Sequence, residues 1–124
     1  MKQCLVVDDS VLVRSVARRL CEELRFATGE AESGPAALEA CRAQMPDLIL
    51  LDEALPAMSG AEFIESLRRQ PGGGHPVVLL CTEGGRDGAS SHTKFLARQA
   101  GADDFLAKPF DGRSLKAKLA QIGL

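Results

Sequence analysis

The sequence predicts an α/β fold, a doubly wound sheet of parallel strands with helices on both faces. Three observations predict it. Short aliphatic runs of strand length (CLVV, DLILL, VVLLC) recur along the chain, segments of helical period separate them, and charged or hydroxyl residues follow the runs. Strands that alternate with helices form βαβ units, and strands covered on both faces read as continuous apolar runs.

CLVV (Cys4–Val7) is the first strand. Ser10 is placed to cap a helix whose apolar positions Val13, Val16, Ala17, Leu20 and Leu24 recur at helical spacing, with Arg14, Arg18, Arg19 and Glu22 on a solvated face. Ala27–Ala31 reads as a weak second strand broken by Gly29. Ser33-Gly34-Pro35 opens a second helix through Ala36, Leu38 and Ala40 to about Met45, and Pro46 marks its end. DLILL (Asp47–Leu51) is apolar on both faces and therefore central, and ALPAMSG after Asp52 reads as a loop. A third helix runs from about Ala61 through Phe63, Ile64 and Leu67 to Arg69. Gly72-Gly73-Gly74 follows a helix and precedes the strand VVLLC (Val77–Cys81), the reverse of the order a phosphate-cradling loop needs, so it reads as a flexible connection. Beyond Thr82 a long segment, rich in glycine at its start, leads into a helix over Ser91–Ala100. DDFLA (Asp103–Ala107) is the fifth strand, and SLKAKLAQI (Ser114–Ile122) the fifth helix, ending at Gly123.

A chain of 124 residues, 45% hydrophobic and 26% charged, fits one soluble domain spanning residues 1–124. Its net charge of −2 gives no general attraction to nucleic acid, so DNA binding is not expected. The apolar run in MKQCLVVDDS is too short for a signal peptide or a membrane span, so a cytoplasmic location without membrane insertion is expected. Cys4, Cys21, Cys41 and Cys81 show no CxxC spacing, and structural thiols are expected over a disulfide or a zinc site.

The chemistry lies where the strands end. Asp8 and Asp9 follow the first strand, Asp52 the third and Lys108 the fifth, so a parallel sheet would bring all four side chains to its carboxyl edge. Three crowded carboxylates repel one another unless a divalent cation sits between them, and an all-oxygen set suits Mg2+ better than a site built on His92 or cysteine. Each residue also has a plainer reading. Asp9 or Ser10 can simply cap a helix, Asp52 can begin a turn, Thr82 can be a β-branched strand end, and Lys108 can be a solvated charge. Their joint occurrence, in order along the chain, favours the metal and phosphate reading.

VVDDS, LILLDEALPAMSG, LLCT and GADDFLAKPF, in that order, resemble the response-regulator receiver domain of two-component signalling, of the stand-alone type, and the resemblance covers the whole chain. It implies a flavodoxin-like (βα)5 fold with strand order 2-1-3-4-5. It further implies that Asp52 is the phosphoacceptor and that Asp8, Asp9, Asp52 and the backbone carbonyl of Ala54 hold Mg2+. Thr82 and Lys108 would bind the phosphoryl group. Thr82 and Phe105 would act as the switch that alters the face made by helix four, strand five and helix five, although a strand phenylalanine is as readily a core residue. The peptide bond before Pro109 is often cis in this family. Expected partners are a histidine kinase or histidine phosphotransfer protein as donor and an output protein as target. The chain is then a phosphoacceptor that assists its own phosphotransfer and dephosphorylation, and not a classical enzyme.

Two features depart from the pattern. Glu83 follows Thr82 where the family commonly has a small residue, which would place a carboxylate beside an incoming phosphate. The GGRDGASSHTK segment is longer than usual, and Arg86, His92, Lys94 and Arg98 make the region locally basic, suited to an acidic partner or an anionic ligand such as a cyclic dinucleotide. Two other classes compete. A phosphatase resembling the haloacid dehalogenase group would need an acid two residues past its nucleophile, where this chain has Ala54. A phosphorylation-independent binding module on the same fold is the other.

Overall fold

The computed structural model describes residues 1–83 and 91–124. Five strands, β1 (Gln3–Val7), β2 (Ala27–Ala31), β3 (Leu48–Asp52), β4 (Val77–Glu83) and β5 (Asp104–Lys108), alternate with five helices, α1 (Val11–Glu23), α2 (Gly34–Ala43), α3 (Gly60–Arg69), α4 (Ser91–Ala100) and α5 (Gly112–Gln121). The strands form one sheet in the order β2-β1-β3-β4-β5, and every adjacent pair is parallel. The fold class and strand order expected from the sequence are therefore those observed.

Alternation of side chains along each strand divides the core in two. Leu5, Val7, Ile49, Leu51, Val78 and Leu80 face one way and pack with Ala37 and Cys41 of α2, Phe63, Ile64 and Leu67 of α3 and Ala97 of α4. Cys4, Val6, Leu48, Leu50, Leu79 and Cys81 face the other way, against Ala17 and Cys21 of α1 and Leu115 and Leu119 of α5. All five residues of β3 are buried, as a central strand covered on both faces requires. The four cysteines are buried free thiols.

The helix starts follow their capping chemistry. Ser10 accepts the Val13 amide and Ser33 the Ala36 amide, while Ser59 with Glu62 and Asp111 with Ser114 form capping boxes. The last two caps place α3 and α5 one or two residues earlier than periodicity alone suggests. Leu24 is the C-cap of α1 and not a helical residue.

Three expectations are corrected. β2 is unbroken: Gly29 lies in register with Leu5, and pairing with β1 supplies what the strand lacks in propensity. Val16 is 52% exposed, together with Val11 and Leu12, so part of α1's apolar pattern faces outward. The triple-glycine segment, expected as a flexible connection, is anchored at its buried middle residue, Gly73, between exposed Gly72 and Gly74. The Gly73 amide donates to the Gln70 carbonyl at 2.8 Å, and Arg68 donates to the carbonyls of Gly73, Pro76 and Gly101 at 2.9, 2.8 and 2.6 Å and to Asp103 at 3.3 Å. A Cβ at Gly73 would lie 1.9 Å from the Leu67 carbonyl oxygen, whereas one at Gly74 meets nothing within 4 Å. Gly73→Ala is accordingly expected to cost about 2–3 kcal/mol in urea unfolding, and Gly74→Ala less than about 0.5 kcal/mol. Equal midpoints for the two variants would contradict this packing.

Candidate functional site

The sheet order places the site. The chain crosses from β2 back past β1 to β3, so the strand order reverses between β1 and β3, the point where doubly wound sheets open a crevice at their carboxyl ends. Val7 pairs with Leu51, which makes Asp8 and Asp52 the next residues on neighbouring strands. Asp52 in turn pairs with Cys81, one residue before Thr82.

Asp8 and Asp52 are 4% and 5% exposed, while Asp9 is exposed. Carboxylate oxygens of the three lie within 4.8 Å of one another. Lys108 reaches in from the end of β5, and its ammonium donates to Asp52 Oδ1 at 2.7 Å and Asp8 Oδ2 at 2.9 Å. Burial pushes the Lys108 proton affinity down, but the bonds to Asp52 and Asp8 more than offset this and raise its pKa well above the usual lysine range. Lys108 therefore stays a cation at neutral pH. One ammonium facing three carboxylates leaves the cluster with more acid than base, and its donors are all hard oxygens closely spaced. That donor set fits a small divalent cation such as Mg2+, which takes one or two carboxylates and keeps waters for its remaining positions. Cys81, buried beneath the site, has its thiol pushed up to about 12 by burial and offers no competing thiolate.

Asp8 is fixed by three hydrogen bonds, two through its backbone and one through its carboxylate. Its amide donates to the Ala31 carbonyl at 3.1 Å, its Oδ1 accepts the Ser10 amide at 2.9 Å, and its carbonyl accepts Arg14 Nη1 at 2.7 Å. Arg14 is held in turn by Glu30 at 3.1 Å. The sequence pattern put Arg14 on a solvated face; only the pairing of β2 beside β1, which brings Glu30 within reach, shows that it braces this turn. Glu53 was also missed. Its Oε1 accepts the Glu83 amide at 2.7 Å, tying the end of β3 to the end of β4. The Lys108–Pro109 peptide bond is cis, as the resemblance implies.

The remaining expected residues separate into groups. Thr82 is buried on the sheet face it shares with Leu80, and Phe105, paired with Leu80, is half-buried on that same face against the same core. Glu83 points the other way. It pairs with Lys108 and lines a groove of about 430 Å³ with Leu12, Val16 and Phe110, so its side chain leaves the Thr82 face. Lys94 and Arg98 do not join the acidic cluster but stack over the Phe105 ring, 5.6 and 4.9 Å from its centroid. His92 is exposed on α4, Ala54 is exposed in the loop after β3, and Arg86 lies outside the described residues.

A crevice at the switch point, an acidic cluster after β1 and β3, and a lysine closing it from β5 define a phosphoacceptor-type signalling domain. The family model of the response regulator receiver domain matches residues 4–120, and the chain belongs to this family. It is 31% identical over 121 residues to the chemotaxis protein CheY of Halobacterium salinarum, covering 98% of this chain and 96% of that protein. It is 33% identical over 122 residues to the phosphate regulon transcriptional regulatory protein PhoB of Escherichia coli, covering 98% of this chain and 51% of PhoB, so it spans about half of that relative. Among solved structures, the chemotaxis protein CheY4 of Vibrio cholerae superposes with a TM-score of 0.89 at 26% identity, covering 98% of each chain. Receiver domains are signalling phosphoacceptors and not classical enzymes. No helix among the described residues is long and apolar enough to cross a membrane.

Proposed function

We propose that residues 1–124 act as one receiver unit that accepts a phosphoryl group on Asp52 from a histidine kinase or histidine phosphotransfer protein. In this reading it signals by phosphorylation-dependent binding of an output protein at the face of α4, β5 and α5. The observation that carries the proposal is the shared contact of Lys108 with Asp52 and Asp8 inside the acidic cluster. The similarity to the two chemotaxis proteins supports motility control as the setting.

The chain's own residues suit the chemistry. A carboxylate oxygen of Asp52 attacks phosphorus in line, an O–P bond forms, the bond from phosphorus to the donor nitrogen breaks, and the imidazole leaves neutral after taking a proton from solvent. Little covalent help is available for such a transfer, so the rate depends on positioning and on charge. The β3 end and the buried Asp8 turn hold the nucleophile, and Lys108 exchanges a carboxylate contact for a phosphoryl oxygen. Thr82 donates its hydroxyl to the same group. Asp8, Asp9, Asp52 and the Ala54 carbonyl would hold Mg2+, which when bound supplies the divalent charge that neutralises the equatorial oxygens. With Thr82 drawn to the phosphoryl group, Phe105 on the same face moves into the space that Thr82 leaves. As it lacks a hydroxyl, it can bury without an unsatisfied polar atom.

Intact-mass measurement with acetyl phosphate tests the reading. An adduct of one phosphoryl group that forms with Mg2+ and not without it is expected. Absence of an adduct with both acetyl phosphate and a phosphohistidine donor would overturn it in favour of a phosphorylation-independent module. Lys108→Ala is expected to accept the phosphoryl group only weakly and to lose its coupling to output binding. The variant also leaves Asp8 and Asp52 facing each other without their shared cation, so it should unfold about 1–3 kcal/mol more easily in metal-free urea. Mg2+ should restore most of that loss, and identical midpoints for variant and wild type in both buffers would contradict the charge-sharing role.

A further inference from the structure

Cys4 of β1 and Cys21 of α1 face each other inside the core, their sulfurs 3.6 Å apart although the residues stand 17 positions apart in the sequence. A disulfide bond is about 2.05 Å long, so the sulfurs need to close by roughly 1.5 Å, which small rotations of the two side chains supply. The backbone already holds the two elements together at this end. The Cys21 carbonyl accepts the Phe26 amide at 3.0 Å, and Ala27, the next residue, donates to the Lys2 carbonyl at 2.9 Å, so the chain leaving α1 is fastened beside the start of β1. The other two thiols are set apart. Cys41 packs on the opposite face of the sheet, and the Cys81 thiol is turned to the Leu79 carbonyl at 4.0 Å. Burial pushes Cys41 up to about 11 and Cys81 up to about 12, which keeps both as inert thiols. With Cys4 as donor, the sulfur contact raises the Cys4 pKa and lowers that of Cys21, so Cys21 is the better nucleophile of the pair. Ala17 lines the groove between α1 and Phe110, and Cys21 lies one helical turn beyond it. A small oxidant in that groove is therefore separated from the pair by a single turn of α1.

We propose that Cys4 and Cys21 form a reversible intramolecular disulfide when the folded chain meets a hydroperoxide. The Cys21 thiolate attacks one peroxide oxygen, the O–O bond breaks, and the hydroxide that leaves takes up the proton Cys21 released, which gives water and a sulfenic acid on Cys21. The Cys4 sulfur then attacks the Cys21 sulfur. An S–S bond forms, the S–O bond breaks, and the departing hydroxide takes the Cys4 proton and leaves as water. The two thiols give up two electrons in all, and the peroxide is reduced to two waters. The bond staples the end of α1 to the start of β1, at the amino edge of the sheet and remote from Asp8, which follows the other end of that strand. It stabilises the fold by restricting the unfolded chain and leaves the acidic cluster as it is. The disulfide does not rest on the phosphoacceptor reading.

Thiol mapping of the full chain tests the proposal. The reduced protein is treated with hydrogen peroxide in native buffer, quenched with catalase, and alkylated after unfolding. Two of the four cysteines should escape alkylation, and the chain before alkylation should be lighter by two hydrogens. Trypsin cuts after Arg14 and Arg19, so without reductant the peptide that holds Cys4 should stay joined to the one that holds Cys21. Dithiothreitol should release them. The same treatment in denaturing urea should scatter links among all four cysteines, because the folded geometry selects the pair. The oxidised chain should unfold at roughly 1 M higher urea than the reduced chain, a gain absent from C4A and C21A. The peptide map of the wild type stands whether or not those variants fold. Four alkylated cysteines after native treatment, oxygen adducts without a link, a link to Cys41 or Cys81, or a link between two copies would each overturn the proposal and leave the pair as core packing. So would an unchanged urea midpoint. Uptake of phosphate from acetyl phosphate should persist in the linked chain, and uptake lost only on oxidation would overturn the staple. Uptake absent from reduced and linked chains alike removes the phosphoacceptor reading and keeps the disulfide.

Discussion

Asp52→Asn is expected to abolish phosphoryl uptake while leaving the chain folded. Asparagine has nearly the shape of aspartate, so packing at the fully buried β3 is preserved. The amide oxygen, however, is no nucleophile toward phosphorus. Lys108 is not orphaned, because its 2.9 Å bond to Asp8 survives. Taking one carboxylate from a cluster of three also relieves like-charge repulsion, so stability in metal-free buffer should equal or exceed that of wild type. Intact mass after treatment with acetyl phosphate and Mg2+ reads the first effect, and urea unfolding reads the second. Asp8 and Asp9 stand beside Asp52, so an adduct on the variant would reassign the phosphoacceptor to one of them.

Phe63→Ala is expected to produce the largest loss of stability, about 3–5 kcal/mol. Phe63 is fully buried on α3, in the cluster that contains Leu51, Leu80 and Ile64. Removing its ring takes away a large apolar area and leaves a cavity between a helix and the central strands, which are held from both sides and cannot collapse inward. Domains of this size are stable by about 5–15 kcal/mol, so the variant could spend much of that margin. Phe95→Ala is the matched control. Its ring is more than half exposed, and a change within about 0.5 kcal/mol is expected. Similar urea midpoints for the two variants would show that the α3 packing has been misjudged.

The sheet was legible because strands covered on both faces must be apolar throughout, and CLVV, LILL and VVLLC have no other use for that composition. The acidic cluster was legible because parallel strands bring their carboxyl ends together, which turns residues far apart in sequence into neighbours. Gly73 was not legible, since the reason for a glycine there is the nearby Leu67 carbonyl, a contact made by the turn itself. Arg14 and Glu53 were missed for a related reason. Arg14 depends on Glu30 at the end of the neighbouring β2, and Glu53 on the Glu83 amide at the end of the neighbouring β4, and periodicity along a single segment carries no information about such neighbours. Glu83 shows the limit from the other side: reading it as the neighbour of Thr82 put its charge in the site, whereas alternation along β4 sends it to the opposite face.

The Arg68 hub has a mechanical consequence. Its guanidinium fastens the end of α3 to the segments entering β4 and β5, and through the Gly101 carbonyl it grips the residue that directly follows α4. All of these attachments lie at the amino edge of the sheet, away from Asp52. α4 is thus a lever pinned at its far end. A given tilt about that fulcrum moves Ser91 farthest and Ala100 least, so a small pull near Thr82 is magnified at one end of the helix while the base of the domain stays still.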